Sequence, residues 1–269
     1  MKPVKIAAYG GGINSTAMIV ALTLNGTKLD AILFSDTGAE KPETYAFIRR
    51  FNKWLRKHGQ ARITIIRRVS KNGDAKTLEQ HCLHYRQLPS IAYGHKQCSH
   101  KFKIAPQEKW VNHFAKAKKS WKNQRAVIKY IGFDAGEVRR VRPGDKKYNP
   151  CYPLIEWGWD RNRCKQEIIN AGLCLPPKSS CFFCPNMKRG EILSLPAELQ
   201  QRAVSLERNA ERTKHRFTVK NPDSLTQTEV NRICQNMFVQ AIFVNGKYYE
   251  PNKPLDRDKY FKKLMRGLK

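Results

Sequence analysis

Two groups of residues in this 269-residue chain have types and spacings that could do chemistry. The first is Gly10-Gly11-Gly12-Ile13-Asn14-Ser15-Thr16, directly behind Tyr9. Glycines let a backbone turn tightly and approach an anion with no Cβ in the way. Ser15 and Thr16 add hydroxyls at what reads as a helix start. Such a loop is either a phosphate cradle or a capped turn that holds no ligand. The second is Cys181-Phe182-Phe183-Cys184-Pro185, in a knuckle-like stretch that begins at Leu175. Two thiolates so spaced can grip one metal ion or cluster, and alone they fit a zinc knuckle or a redox pair equally well.

The flanking sequence says what positions the glycine loop. Residues 4–9 form an apolar run that reads as a buried parallel strand, and residues 17–24 read as a packed helix. Residues 29–34 give a second strand ending in Ser35-Asp36-Thr37-Gly38. Pro42 opens an amphipathic helix carrying Phe47, Phe51, Trp54 and Leu55 at helical spacing, and residues 62–66 give a third strand. This β-α-β-α-β order predicts an α/β fold: an open, mostly parallel twisted sheet with helices on both faces. In such sheets ligands bind beyond the carboxyl ends of the strands, where both loops lie. Farther on, residues 70–100 read as irregular, 101–119 as helix, and 126–131 as a strand ending in Gly132-Phe133-Asp134. Helices are expected at 160–171 (stopped by Gly172), 196–214, 226–240 and 258–268, with a hairpin at 241–249 turning on Asn245-Gly246. Residues 1–190 are expected to form one domain that carries the glycine loop and the paired cysteines, and 191–269 a basic, mainly helical region.

Lys and Arg number 51 against 22 Asp and Glu, a formal charge of +29 spread along the whole chain. Charge on that scale governs partners rather than fold, and it favours a nucleic acid over a small polyanion. Tyr248, Tyr249, Tyr260 and Phe261 alternate with lysines near the end, as nucleic-acid binding or a plain amphipathic surface would both require. No apolar run approaches the ~20 residues of a membrane helix. The chain starts without the layout of a signal peptide, so a cytoplasmic protein is expected. Eight cysteines in that compartment point to metal or redox chemistry rather than disulfides. The spacing of His81, His84, His95 and His100 fits no common metal pattern, so they read as polar loop residues. Arg139, Arg140 and Arg142 suit phosphate or sulfate.

Taken in order, these motifs resemble the phosphoadenosine phosphosulfate (PAPS) reductase-like branch of the adenine nucleotide alpha-hydrolase, or PP-loop ATP pyrophosphatase, superfamily. Gly10 to Thr16 is similar to the family's Ser-Gly-Gly-x-Asp-Ser-Thr loop, and Asp36-Thr37-Gly38 with Pro42-Glu43-Thr44 to its Asp-Thr-Gly…Pro-Glu-Thr segment. Cys98 to Pro106 resembles Cys-Thr-x-x-x-Lys-x-x-Pro, with Lys103 in the region of the lysine. Gly132 to Arg140 resembles Gly-x-x-x-x-Glu-x-x-Arg through Glu137 and Arg140, and Tyr152-Pro153-Leu154 with Cys181-x-x-Cys184 completes the order.

The resemblance implies ATP or another adenine nucleotide, with Mg²⁺, held by Tyr9, Gly10, Gly11, Gly12, Asn14, Ser15, Thr16, Asp36, Thr37, Gly38, Gly132 and Glu137. It implies Asp36, Lys103 and Arg140 as catalytic residues. It also implies a 4Fe-4S cluster, or Zn²⁺ in its place, on Cys98, Cys181 and Cys184. Cys164, Cys174 and Cys151 compete for the fourth place; Cys164 is chosen, and Cys82 is expected to be unliganded. Gly10 and Asn14 stand where the family has Ser and Asp, which leaves Asp36 to carry more of the Mg²⁺ role. The expected activity is adenylation of a nucleic acid, tRNA or DNA, with pyrophosphate release and cluster-dependent sulfur transfer from a possible donor protein. One alternative is a sulfonucleotide reductase, disfavoured because the last cysteine, Cys234, sits in a helix pattern rather than a tail. Another is a nucleic-acid-binding protein that has kept the fold and lost catalysis.

Overall fold

The computed structural model describes residues 2–69, 77–89, 97–214, 242–244 and 247–249. The expected helices at 226–240 and 258–268, the Asn245-Gly246 turn, His95 and Cys234 lie outside them.

Strands β1 (Lys5–Tyr9), β2 (Ala31–Ser35), β3 (Ile63–Ile66), β4 (Val127–Ile131) and β5 (Tyr148–Cys151) form one sheet in the order β3-β2-β1-β4-β5. Every pairing in it is parallel, with Ala7 opposite Ile32 and Tyr130. The fold is therefore the expected α/β, Rossmann-like one. Side chains alternate along each strand, so two cores form. Ala7, Tyr9, Ile32 and Phe34 face one core with helices α1 (Ile13–Leu24), α2 (Pro42–Lys57) and a later helix, α8 (Arg161–Asn170). Val4, Ile6, Ala31 and Leu33 face the other, against α5 (Ala105–His113) and α6 (Ala115–Lys122).

Three local outcomes differ from expectation. The fifth strand was not legible, because Tyr148-Asn149-Pro150-Cys151 has no apolar alternation; it forms by pairing with β4, and its proline sits on an edge strand. Within the irregular stretch, α3 (Leu78–Tyr85) is a helix started by a Thr77–Gln80 capping box. The helix expected at 101–119 is instead a short α4 (Gln97–Ser99), a π-helical segment (His100–Ile104), α5 and α6, broken where Phe114 turns extended.

Beyond α7 (Pro153–Glu156), α8 and α9 (Arg189–Leu193), α10 (Ala197–Lys214) packs on α3. Arg202 grips both carboxylate oxygens of Glu79 there, at 2.9 and 2.5 Å. Leu195, Leu199 and Leu206 join Leu78, Phe102 and Phe182 in a third cluster. The expected hairpin is present as antiparallel β6 (Ile242–Val244) and β7 (Lys247–Tyr249). Among the described residues no helix is long and apolar enough to cross a membrane.

Candidate nucleotide and thiol site

The loop between β1 and α1 is fixed from beneath. Gly11 adopts φ +74°, and a Cβ there would lie 3.2–3.4 Å from Thr44, Phe34 and Ser179. Thr16 is buried, donates to the Gly12 carbonyl at 2.8 Å and meets the Tyr9 hydroxyl at 3.4 Å. Burial pushes the Tyr9 phenol up, so it stays protonated. Ser15 Oγ accepts from the Gly10 N–H at 3.2 Å. At the end of β4, Gly132 passes so close that a Cβ would lie 2.8 Å from the Ser15 Cα and 2.9 Å from its nitrogen.

Above this loop opens a cleft of about 620 Å³ at the carboxyl ends of β1, β2 and β4. That volume falls in the range of small-molecule sites. Gly10, Gly12, Asn14, Ser15, Gly132 and Glu137 reach it, and so do Lys103 and Arg140. Tyr9 lines its floor. Sequence reasoning missed Gln107, Arg161, Lys178 and Ser179, which also line it. They come from separate parts of the chain, and only the tertiary fold brings them together. Arg140 pairs with Glu137 and lies 4.0 Å over the Phe133 ring.

The neighbours of position 14 favour Asn over Asp there. Asn14 Nδ2 donates to Asp134 Oδ2 at 2.8 Å and to Glu137 Oε2 at 3.2 Å. An aspartate there would put a third carboxylate beside two. The Asn14 Oδ1 atom is buried with no hydrogen-bond partner among the described residues.

Asp36, expected as a catalytic residue, is placed outside the lining of the cleft. Its carboxylate, 3% exposed, accepts two bonds from Arg67 at 2.7 and 2.8 Å, one from Tyr45 at 2.7 Å and one from the Gly38 N–H at 2.8 Å. Satisfied in this way, it braces the turn after β2 and does not line the cleft. Burial first, then Asp36, raises the Tyr45 pKa. Gly38 (φ +69°) packs on Thr77, and Thr37 turns its hydroxyl to the Cys181 sulfur at 3.3 Å. Gly11, Thr16, Asp36, Thr37 and Gly38 therefore shape the site from behind. The carboxylates near Asn14 are Asp134 and Glu137.

The knuckle hangs on the same sheet edge. Cys181 bridges to Glu40, Phe182 N–H donates to Ala39 at 2.9 Å, and Cys184 N–H closes back on the Cys181 carbonyl at 3.0 Å. Ahead of it, the Ser179 hydroxyl donates to the Gly10 carbonyl, tying the knuckle loop to the glycine loop. Lys103 reaches Glu40 at 2.9 Å. Burial works against the Lys103 charge, but Glu40 and the thiols of Cys181 and Cys184 outweigh it and raise its pKa. Burial pushes the Cys181 thiol up to about 12; Glu40 adds to the shift and Lys103 opposes it.

Cys98, Cys181 and Cys184 share the third apolar cluster, and so does Cys82, which sequence reasoning set aside. Cys164 does not join them: α8 buries it completely in the first core, against α1. A helix-borne cysteine reads the same in sequence whichever face it takes, so its choice as fourth ligand is corrected. Among the described residues no three His, Cys, Asp or Glu side chains are gathered closely enough to hold a metal ion. The donor chemistry nonetheless suits a thiophilic group: soft sulfur in an apolar setting, and a lysine to offset thiolate charge.

No protein-family model matches the chain, and no curated protein does. Among solved structures it is similar to U34-tRNA thiolase NcsA from Methanococcus maripaludis with its [4Fe-4S] cluster, at 13% identity and a TM-score of 0.41. The match covers 80% of this chain and 72% of that one. A likeness this slight bears on neither activity nor ligand.

Proposed function

We propose that the protein is a PAPS reductase-like, ATP-using enzyme that adenylates a nucleic acid and transfers sulfur to it with the help of a cysteine-bound cluster. The observation that carries this reading is Lys103. Its side chain lines the nucleotide cleft, pairs with Glu40, and lies within the field of Cys181 and Cys184. Lys103 thereby links the cleft to the knuckle that carries the thiols.

In this reading the N–H groups at the start of α1 receive the phosphates of ATP. A substrate oxygen attacks the alpha-phosphorus, pyrophosphate leaves, and the oxygen becomes part of a good leaving group, AMP. Lys103, Arg140, Arg161 and Lys178 balance the charge that spreads over the phosphate oxygens. Mg²⁺ travelling with the nucleotide meets Asp134 and Glu137 rather than Asp36, since one or two carboxylates suffice when phosphates and water complete the shell. Cys98, Cys181 and Cys184 would hold the cluster, which supplies a site for the sulfur that displaces AMP. The side chains around them keep water away and offset thiolate charge.

The test is pyrophosphate release from ATP by anaerobically purified protein, with and without added tRNA or DNA. Release that depends on one of these polymers, lost in Lys103→Met, is expected. A rate unchanged by either polymer would sink the proposal.

A further inference from the structure

The wall of the nucleotide cleft has a second face. Along the π-helical segment and α5, Lys103 and Gln107 point into the nucleotide cleft. Lys101, Ala105 and Lys109, offset by two residues and again four apart, line a separate cleft of about 540 Å³ on the other side. Residues four apart on a helix share a face, so one rod divides two sites. The opposite wall of the second cleft is Arg67 and Arg68, which directly follow β3, and His100 lies in its lining.

No acidic side chain lines this cleft among the described residues. Arg67 is partly engaged by Asp36, yet remains more than half exposed. Arg68 and Lys109 have no carboxylate partner among the described residues. Arg68 lies 5.3 Å over the Phe102 ring, and Lys101 lies 5.6 Å over Tyr85 and 3.1 Å from His81 Nε2. The nearest carboxylate on the rod, Glu108, acts instead on Lys129 and Tyr148 of the sheet. Burial and the neighbouring Arg68 charge together lower the Lys101 pKa. Four fixed cations in one groove, with aromatic rings behind two of them, form a site that an extended polyanion relieves and an isolated neutral ligand does not.

We propose that the groove between Arg67-Arg68 and the Lys101–Lys109 face binds the phosphodiester backbone of a polynucleotide. This rests on the proposed function in one respect: the polynucleotide is taken to be the substrate that is modified across the wall. The groove reads charge and not base identity, since it offers point charges and guanidinium forks to phosphates.

The test is binding of fluorescein-labelled tRNA and of a labelled DNA duplex to the full chain, followed by anisotropy across a salt series without ATP. Arg68→Glu/Lys109→Glu is compared with Lys119→Glu/Lys122→Glu, an equal charge change on α6. Nucleotide affinity, read with a fluorescent ATP analogue, and thermal midpoint report whether each variant is folded. Expected is a loss of about tenfold or more in polynucleotide affinity for the groove variant only. Its log–log salt slope on the duplex should be shallower by about 1.8, as two lost phosphate contacts require. ATP affinity should be unchanged.

Equal losses in the two double variants would overturn the groove in favour of diffuse charge. So would an absence of polynucleotide binding, or displacement of bound polymer by inorganic phosphate at low millimolar concentration, which would mark a small-anion site. If binding maps to the groove but polymer never stimulates pyrophosphate release, the proposed function fails and the groove stands.

Discussion

The cleft and the thiol cluster both lie beyond the carboxyl end of β2 and share Lys103, yet they are built from different parts of the chain. The cleft is largely backbone: a glycine loop, a helix start and the close pass of Gly132, with side chains added around the rim. The thiol cluster is almost entirely side chain: sulfurs from α4 and from the knuckle, set among Leu78, Phe102 and Phe182. A backbone site is complete once the chain has folded, because no rotamer needs to change. A side-chain site still has to draw its donors together, and here no three donors converge among the described residues. The glycine loop and helix start of the first are specified locally. The second would be completed by the cluster proposed above, as metal sites commonly are by their metal.

The largest effect should come from breaking the backbone site. In Gly132→Ala the new methyl group meets Ser15 main-chain atoms at 2.8 and 2.9 Å, and main chain cannot rotate away. Overpacking of this kind costs about 1–3 kcal/mol, and here it falls on the loop itself. A lower thermal midpoint and a loss of ATP affinity of about tenfold or more are expected by calorimetry. Gly12→Ala is the control. Its Cβ has only Ser179 at 3.8 Å, its φ is −107°, and its stability should match the parent. Parent-like ATP binding by Gly132→Ala would show that the cleft is not backbone-limited.

The thiol cluster is broken through its sulfurs. Cys181→Ala should remove most of the iron and sulfide of anaerobically purified protein, while Cys164→Ala retains them and loses about 1 kcal/mol of stability from its vacated core position. A thiol survey separates the two roles a second way. Burial, with Asp134 and Asp160 adding to it, pushes Cys164 up to about 12. The folded protein then holds that proton more tightly than the unfolded chain. The stability it contributes is full below the unfolded thiol range near pH 8.5 and is lost as pH rises above it. At pH 8 Cys164 should resist iodoacetamide while exposed Cys174 reacts. Iron lost in Cys164→Ala would restore that residue to the ligand set.

The same contrast explains what sequence reasoning could see. The β1–loop–α1 unit was legible because its signals are local: an apolar run, three glycines, two hydroxyls and a second apolar run. The amphipathic α2 was legible for the same reason, through Phe47, Phe51, Trp54 and Leu55. The fifth strand was not, because only its pairing with β4 makes it one. Lys103, Glu137 and Arg140 came from the resemblance and do line the cleft, whereas Asp36 does not: nothing local discloses that Arg67, Tyr45 and Gly38 occupy its carboxylate. Glu40 and Ser179 join the two sites and carry no sequence signal at all, since each matters only through a partner more than 60 residues away. The choice of Cys164 failed on a related point, because spacing fixes that a cysteine is on a helix but not which core the helix faces.

A smaller effect tests the seam between backbone and side chain. Asn14→Asp replaces a donor to Asp134 and Glu137 with a third negative charge. Losing those bonds and crowding the carboxylates should cost about 1–3 kcal/mol in EDTA. Millimolar Mg²⁺ should return most of it, because a cation is what three carboxylates lack. Equal stability in EDTA and Mg²⁺ would mean that Asp134 and Glu137 are not the cation-facing pair.

The smallest effect is expected from placing a serine at position 10. A Cβ on Gly10 has only the Ser15 Oγ within reach, at 3.7 Å, which is ordinary contact, and its φ is not positive. Gly10→Ser should therefore fold within about 0.5 kcal/mol of the parent, as substitutions free of a core, cap or strain penalty generally do. Its hydroxyl would lie at the cleft rim beside the carbonyl that Ser179 already uses. Any gain in ATP affinity should then be a few-fold at most, measured by titration with the fluorescent analogue. A large loss of stability would contradict the backbone view of the cleft, for it would mean that Gly10, like Gly132, is held there by want of space.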